Sequence, residues 1–113
     1  MADNPILRIA EQLDDPRHNR AAARDIVSHL QCFGANGEPL FTVEQISMIL
    51  AKVGAIALQA AEEGDDRRLK RMLDAQIKLA TVNQKLMEIS AAADETHGIL
   101  DRLRDRQRAA NAG

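Results

Sequence analysis

Apolar residues recur every three or four positions along most of the chain, a spacing that predicts α-helices with one buried face. The first run follows Asn4-Pro5, a pair typical of a helix N-terminus because Asn caps the first turn and proline suits the first helical position. Asp15-Pro16 repeats this signal, so a second helix is predicted from Pro16 to about Phe33, with Gly34 as its stop. Its inward-facing residues are expected to be Ile26, Val27, Leu30 and Phe33.

The segment 34–41 is the clearest loop in the pattern, because it contains Asn36-Gly37, a pair suited to a tight turn. Phe33 and Phe41 on either side could form a very short hairpin. Pro39 and the helical neighbours favour a loop without strands instead.

A third helix is predicted to begin with a capping box formed by Thr42 and Gln45. It should run to about Glu63 and stop at Gly64. The helix is apolar around most of its circumference, which is typical of a helix in the middle of a bundle or in an oligomer interface. Its most apolar stretch, Ile46–Ala61, is too short to span a bilayer, so no membrane association is expected.

The fourth helix carries the most regular pattern in the chain. It should open at Asp65 or Asp66, where a carboxylate complements the helix dipole, and continue to about Arg108. Gly98 falls opposite the apolar face and marks a candidate break, and residues 109–113 are expected to be disordered. A heptad seam follows from alternating steps of three and four residues: Met72, Ala75, Leu79, Val82, Leu86, Ile89, Ala93, Thr96, Leu100 and Leu103.

Helix lengths indicate that the third helix cannot cover this seam alone. At 1.5 Å per residue the fourth helix would measure roughly 64 Å and the third roughly 31 Å. The rest must be buried by the two N-terminal helices or by a second chain. A second apolar stripe predicts that the N-terminal half of the fourth helix is enclosed on two sides; it consists of Leu69, Leu73, Ala80 and Met87.

Composition supports the same architecture. The 113 residues are 45% hydrophobic, almost entirely aliphatic, with two Phe and no Trp or Tyr. We therefore predict an all-α fold: a single-domain bundle of four or five helices over residues 1–113 with a long heptad-patterned C-terminal helix. Two N-terminal helices should occupy residues 1–33, followed by the loop and a helical hairpin over residues 42–108.

Cys32 is the only cysteine, which excludes an internal disulfide and fits a reducing compartment. Without a secretory signal, a cytoplasmic location is expected. The preference for Arg and Ala is typical of bacterial or phage proteins.

No motif points to catalysis, a cofactor or a metal. His29 and Cys32 share a helix face, and His18 lies on the same face, but the further ligands that zinc needs have no matching pattern. A helix C-terminus also disfavours a reactive thiolate at Cys32. The acidic run 62–66 is explained by one helix ending and the next beginning. We therefore expect no enzyme, no cofactor and no metal site.

Arginine-rich faces leave a nucleic-acid interpretation open despite the net charge of −2. Acidic residues interrupt the basic ones, and no aromatic side chain is placed to stack on bases. The candidate phosphate contacts are Arg17, Arg20, Arg24, Arg102, Arg104, Arg106 and Arg108.

The excess of apolar helical surface favours a different function. We expect a non-catalytic regulatory protein, of the adaptor, inhibitor or antiactivator type, that binds a partner protein stoichiometrically and forms a homodimer. The alternative is a small DNA- or RNA-associated protein of a phage or mobile element. The candidate protein-interface residues are Met48, Met72, Leu79, Leu86, Met87, Ile89, Leu100 and Leu103.

Overall fold

A computed structural model describes residues 4–112 of the chain. These residues form four helices and no β-strand: α1 (Pro5–Asp14), α2 (Asn19–Ser28), α3 (Val43–Glu63) and α4 (Asp66–Ala112). The predicted all-helical class is confirmed.

Side-chain caps explain where three of the helices begin. The Asn4 side chain accepts a hydrogen bond from the Ile6 amide at 3.0 Å, with Pro5 in the first turn of α1. Both hydrogen bonds of the capping box between Thr42 and Gln45 are present, at 2.9 and 3.1 Å. These two predicted starts are therefore confirmed. At the start of α4, the Asp65 carboxylate accepts from the Arg68 amide at 3.1 Å.

The second helix is shorter than the range from Pro16 to Phe33 that the sequence predicts. Its start is delayed because the Asp15 carboxylate accepts the Arg17 amide and the Asp15 carbonyl accepts the His18 amide, which folds residues 15–18 into a turn. Helix α2 then ends at Ser28. The prediction that Val27 faces inward is wrong, since this residue is 43% exposed.

The loop 34–41 folds back on itself around Gly37, whose φ of 78° is readily adopted by glycine. Phe33 and Pro39 form one isolated antiparallel bridge, and the Gly34 amide donates to the Glu38 carbonyl at 2.8 Å. The segment is therefore a loop with a short β-like pairing and no named strand.

The four helices pack around a single aliphatic cluster. Helices α3 and α4 form an antiparallel hairpin that turns at Gly64, where φ is 71°. Helix α1 packs on α2 and α3, and α2 packs on α4. The largest fully buried side chains come from all four helices: Ile6, Leu13, Ile26, Ile46, Ile49, Val53, Met72 and Leu79. Full burial of each such side chain stabilises the fold by about 1.5–3 kcal/mol.

Helix α4 is longer than predicted. It passes through Gly98 without a break and continues to Ala112, beyond the expected end near Arg108. The expected disorder of residues 109–113 stays a prediction, and Gly113 lies outside the described residues. Alanines beyond Arg108 favour continued helix, and no stop signal intervenes. At 1.5 Å per residue, 47 residues span about 70 Å. This matches the 72 Å long axis of the molecule.

Candidate functional site: a projecting helical arm and a basic cleft

The C-terminal half of α4 projects beyond the other helices. Leu86, at 4% exposure, is the last buried residue of the helix. From Met87 to Ala110 every residue is exposed except Ile89 and Gly98, which are half-buried. We refer to residues 87–112 as the arm. Helix α3 covers α4 only along the hairpin. The apolar side chains of the arm are therefore exposed to solvent.

The predicted heptad seam continues along the arm at exposed positions. Ile99, Leu100 and Leu103 are each 51–53% exposed, and exposed Ala93 and Thr96 complete the stripe. Steps of four and three residues align these side chains on one face of a helix. Such a stripe is typical of a helix that packs against another helix.

Charge is unevenly distributed along the arm. Its first half carries Glu88, Asp94 and Glu95 and no Lys or Arg, so it is acidic. Its second half carries two aspartates and four arginines and is net positive: Asp101, Arg102, Arg104, Asp105, Arg106 and Arg108. The arm is therefore a charged rod whose two halves have opposite sign.

The predicted protein-interface residues fall into two groups. Met72, Leu79 and Leu86 lie in the bundle core and are inaccessible to a partner. The remaining candidates are exposed or half-buried: Met48 (37% exposed), Met87 (56%), Ile89, Leu100 and Leu103.

The second apolar stripe is not enclosed as predicted. Leu73 is 44% exposed, and Ala80 and Met87 are also exposed, because α1 and α2 cover a different side of the α3–α4 hairpin. Leu58 and Ile77 are more exposed still, at 63% and 68%. No sequence pattern distinguishes these two residues, since α3 is apolar on nearly every side and Ile77 lies outside the predicted heptad seam.

A basic cleft of about 690 Å³ lies between α2 and the first turns of α4. On each helix the lining residues recur at intervals of three and four, so each helix contributes one face. Helix α4 adds three cations that are not among the predicted phosphate contacts: Arg67, Lys70 and Arg71. The complete lining is Arg17, Arg20, Ala21, Arg24, Arg67, Lys70, Arg71 and Asp74.

Lys78 fixes α2 in place beside the cleft. Its ammonium donates hydrogen bonds to three carbonyls at the C-terminus of α2: Ile26, Val27 and Leu30. A cation at this end of a helix satisfies free carbonyls and complements the helix dipole. Because Lys78 meets the end of α2 while Arg67–Asp74 meet its beginning, the two helices run parallel and both N-termini lie at the cleft end.

The cleft is strongly positive because few carboxylates reach it. Within the described part of the chain, residues 4–112, Asp74 is the only acidic residue in the lining. Outside it, the Asp15 carboxylate pairs with Arg17 at 3.3 Å. Hydrogen bonds from the Arg17 amide, the Arg17 guanidinium and His18 hold the pKa of Asp15 well below its usual range. Asp15 therefore stays ionised and keeps Arg17 near the mouth of the cleft.

The seven predicted phosphate contacts separate into two distant sets. Arg17, Arg20 and Arg24 line the cleft, where α4 adds further cations. The other four, Arg102–Arg108, lie on the arm. From Arg71 to Arg102 the helix rises roughly 46 Å, so the two sets cannot form one compact site within a single chain.

Candidate chemistry around the histidines and Cys32 does not assemble. Among residues 4–112, no three His, Cys, Asp or Glu side chains converge as metal ligands. Cys32 is buried, and this burial raises the pKa of its thiol, with nearby Lys78 opposing the shift. A buried thiol of raised pKa is a poor nucleophile.

By length and composition alone, α3 is long and apolar enough to cross a membrane. The prediction that this region is too short was based on Ile46–Ala61, whereas the helix spans Val43–Glu63. Core helices of soluble proteins pass the same test. One face of α3, including Ile46, Ile49 and Val53, lies in the bundle core.

The chain was also compared with known proteins. No protein-family model, curated protein or solved structure matches it.

Proposed function

We propose that this protein is a non-catalytic binding protein that acts as a homodimer, with the arm as its dimerisation surface. The observation that carries the proposal is the continuation of the apolar seam past the bundle. From Leu86, the last buried residue, to Leu103 the seam extends about 25 Å with no helix of the same chain over it.

A second copy of the arm matches this surface better than an unrelated protein does. A heptad seam packs against another heptad seam, because each side chain then fits between four residues of the facing helix. The arm also offers long aliphatic anchors near its C-terminal end, where Leu100 and Leu103 are about half exposed. Pairing two arms would remove these groups from water on both chains.

Charge complementarity favours an antiparallel pair. In that arrangement the acidic half around Asp94 and Glu95 of one arm faces the basic half around Arg104 and Arg106 of the other. A parallel pair would place like charges together in both halves, which costs free energy. The antiparallel pair also sends the two bundles to opposite ends, where their bulk does not clash.

Paired arms would leave other apolar residues free for a partner protein. Met48, Leu58 and Leu73 remain exposed on the α3–α4 hairpin, and Met87 remains exposed at the base of the arm. Flexible Met and Leu side chains adapt to a partner's surface. A regulator of the adaptor, inhibitor or antiactivator type would use such a surface stoichiometrically.

The solution mass tests the proposal directly. We expect a dimer by light scattering, with concentration measured by refractive index because the chain has no Trp or Tyr. The double substitution Leu100→Glu and Leu103→Glu should produce a monomer with unchanged bundle stability. The matched control, Gln84→Glu with Ala91→Glu, adds the same charge opposite the seam and should remain dimeric. A wild-type monomer at every concentration, or a dimer that survives both variants, would contradict the proposal.

Arm direction is measured separately by the distance between spin labels at Ala109→Cys in a Cys32→Ala background. An antiparallel pair centred near Ile99, as this charge pairing requires, separates the labels by roughly 30 Å at 1.5 Å per residue. A parallel pair brings them within about 20 Å, given interaxial distances of 8–10 Å. The short distance would overturn the antiparallel arrangement while leaving the dimer intact.

A further inference from the structure

We propose that the basic cleft between α2 and α4 binds the phosphodiester backbone of duplex nucleic acid without reading its sequence. Among residues 4–112, the cleft combines five cationic side chains on α2 and α4, and Arg17 in the turn before α2, with a single carboxylate, Asp74. This site is separate from the arm, so it would serve a second function beyond dimerisation.

Most of the cations in the cleft have no acidic partner. Arg17 pairs with Asp15. Within the described residues 4–112, no carboxylate lies within 4.0 Å of the other five: Arg20, Arg24, Arg67, Lys70 and Arg71. Like charges gathered on two facing helix surfaces repel one another, which opposes folding unless an anion neutralises them.

An ordinary solvated helix face would look different. On the arm, Asp101 and Asp105 alternate with the arginines along the solvated helix, which lowers the local net charge although no ion pair within 4.0 Å joins them in residues 4–112. In the cleft, by contrast, the acidic residues of the same helices lie mostly outside the lining. Parallel packing of α2 and α4 also places both positive N-terminal helix ends at this end of the molecule, which strengthens the local field.

The side chains favour phosphate over other anions. Five of the six cations are arginines, whose planar forks bind phosphate oxygens through two hydrogen bonds. From Arg20 to Arg24 the face extends about 6 Å along α2, and Arg17 adds a cation from the turn before the helix. One strand of B-DNA carries about two phosphates over the length of the helical part.

Duplex is favoured over single strands because the cleft has no aromatic side chain on which bases could stack. Both phenylalanines, Phe33 and Phe41, lie in or beside the loop and pack against the core. Arginines that contact phosphates carry no sequence information, and within residues 4–112 the lining lacks the Asn and Gln that read adenine, so binding should be independent of sequence.

Binding of a labelled 20-base-pair duplex at low salt, followed by fluorescence anisotropy, tests the cleft. The cleft variant Arg20→Gln, Arg24→Gln and Arg71→Gln should bind at least roughly tenfold more weakly, with a salt dependence shallower by about 2–3 in log–log slope. The matched variant Arg102→Gln, Arg104→Gln and Arg106→Gln removes the same charge from the arm and should stay within about threefold of wild type. Replacing the same cleft arginines by Lys should restore binding only in part, because the charge is kept and the two-pronged hydrogen bonding of the guanidinium is lost.

Three outcomes would overturn the proposal. No duplex binding at low ionic strength removes the site, and equal losses in the cleft and arm variants reduce it to general charge attraction. Displacement of the duplex by poly-glutamate as effectively as by unlabelled duplex would instead assign the cleft to an acidic protein. Light scattering on each variant separates these results from a change in dimerisation, and circular dichroism verifies that the exposed substitutions leave the bundle folded.

Discussion

The two halves of α4 have the same sequence pattern and very different surroundings. In the half that belongs to the bundle, Met72, Ala75 and Leu79 are fully buried. In the arm, Leu100 and Leu103 occupy equivalent positions of the same heptad seam and are more than half exposed. The difference teaches that periodicity identifies the apolar face of a helix, whereas what covers that face depends on the length and placement of the neighbouring helices.

Charged residues show the same contrast. In the bundle half, Arg67, Lys70 and Arg71 face a second helix that brings arginines of its own, so the cations accumulate in a cleft. On the arm, arginines and aspartates alternate along a solvated rod. A basic stripe therefore becomes a candidate site only where packing brings a second stripe beside it.

The strongest test of this contrast is one substitution made in both halves. Leu79→Ala should lower the free energy of unfolding by about 2–5 kcal/mol, because it opens a cavity in a closed core. Leu100→Ala, at a half-exposed position, should lower the stability of the isolated chain by less than about 0.5 kcal/mol. Urea unfolding followed by circular dichroism measures both values.

Protein concentration serves as the control for this pair. If arms pair, the effect of Leu100→Ala should grow with concentration, whereas that of Leu79→Ala should not. Equal losses for the two variants in dilute solution would show that the arm folds back onto its own bundle.

The next contrast concerns two lysines one heptad apart on α4. Lys78→Met should destabilise the fold by about 1–3 kcal/mol, since the carbonyls of Ile26, Val27 and Leu30 lose a charged donor. It should also loosen α2 from α4 and therefore widen the basic cleft. Thermal unfolding and amide hydrogen exchange in α2 measure the two effects.

Lys85→Met is the matched substitution nearer the arm. Its ammonium lies 4.7 Å from the centroid of the Phe33 ring, an exposed cation–π contact of about 0.5–1 kcal/mol. If Lys85→Met lowered the free energy of unfolding more than Lys78→Met, the contact of α4 with Phe33 beside the loop would stabilise the fold more than its contact with the end of α2.

Much of the fold could be predicted from local signals. Several helix ends depend on contacts within a few residues and can therefore be recognised in the sequence. They are marked by Asn4-Pro5, by the capping box at Thr42 and by Gly64. The end of α2 was misplaced because it depends on Lys78, about fifty residues away. The enclosed second stripe was wrong for the same reason: whether Leu73 is covered depends on where α1 and α2 pack.

The candidate site was predictable only in parts. Sequence pattern singled out Arg17, Arg20 and Arg24 as one helix face, and the arm seam through Leu103. It could not show that α2 and α4 run parallel, which brings Arg67 and Lys70 to the same cleft. Tertiary packing of this kind joins residues that no local spacing connects.

The smallest expected effects come from two substitutions of glycine by alanine, one in the α3–α4 hairpin and one in the arm. Gly54 in α3 and Gly98 in the arm are both helical, and an added Cβ would meet only Gln76 at 3.8 Å or nothing within 4 Å, respectively. Alanine in a helix interior is favoured over glycine by up to about 1 kcal/mol. Gly54→Ala should therefore raise the global free energy of unfolding by roughly 0.5–1 kcal/mol.

Gly98→Ala should act differently because the arm does not belong to the cooperative core. In dilute solution it should raise helicity by circular dichroism while leaving the unfolding free energy of the bundle unchanged. Since Gly98 lies opposite the seam, the stiffer arm should also dimerise more tightly, at no cost in contacts. If Gly98→Ala instead raised the free energy of unfolding as much as Gly54→Ala does, the arm and the bundle would unfold as one unit. The arm would then be part of the cooperative core although its side chains are exposed.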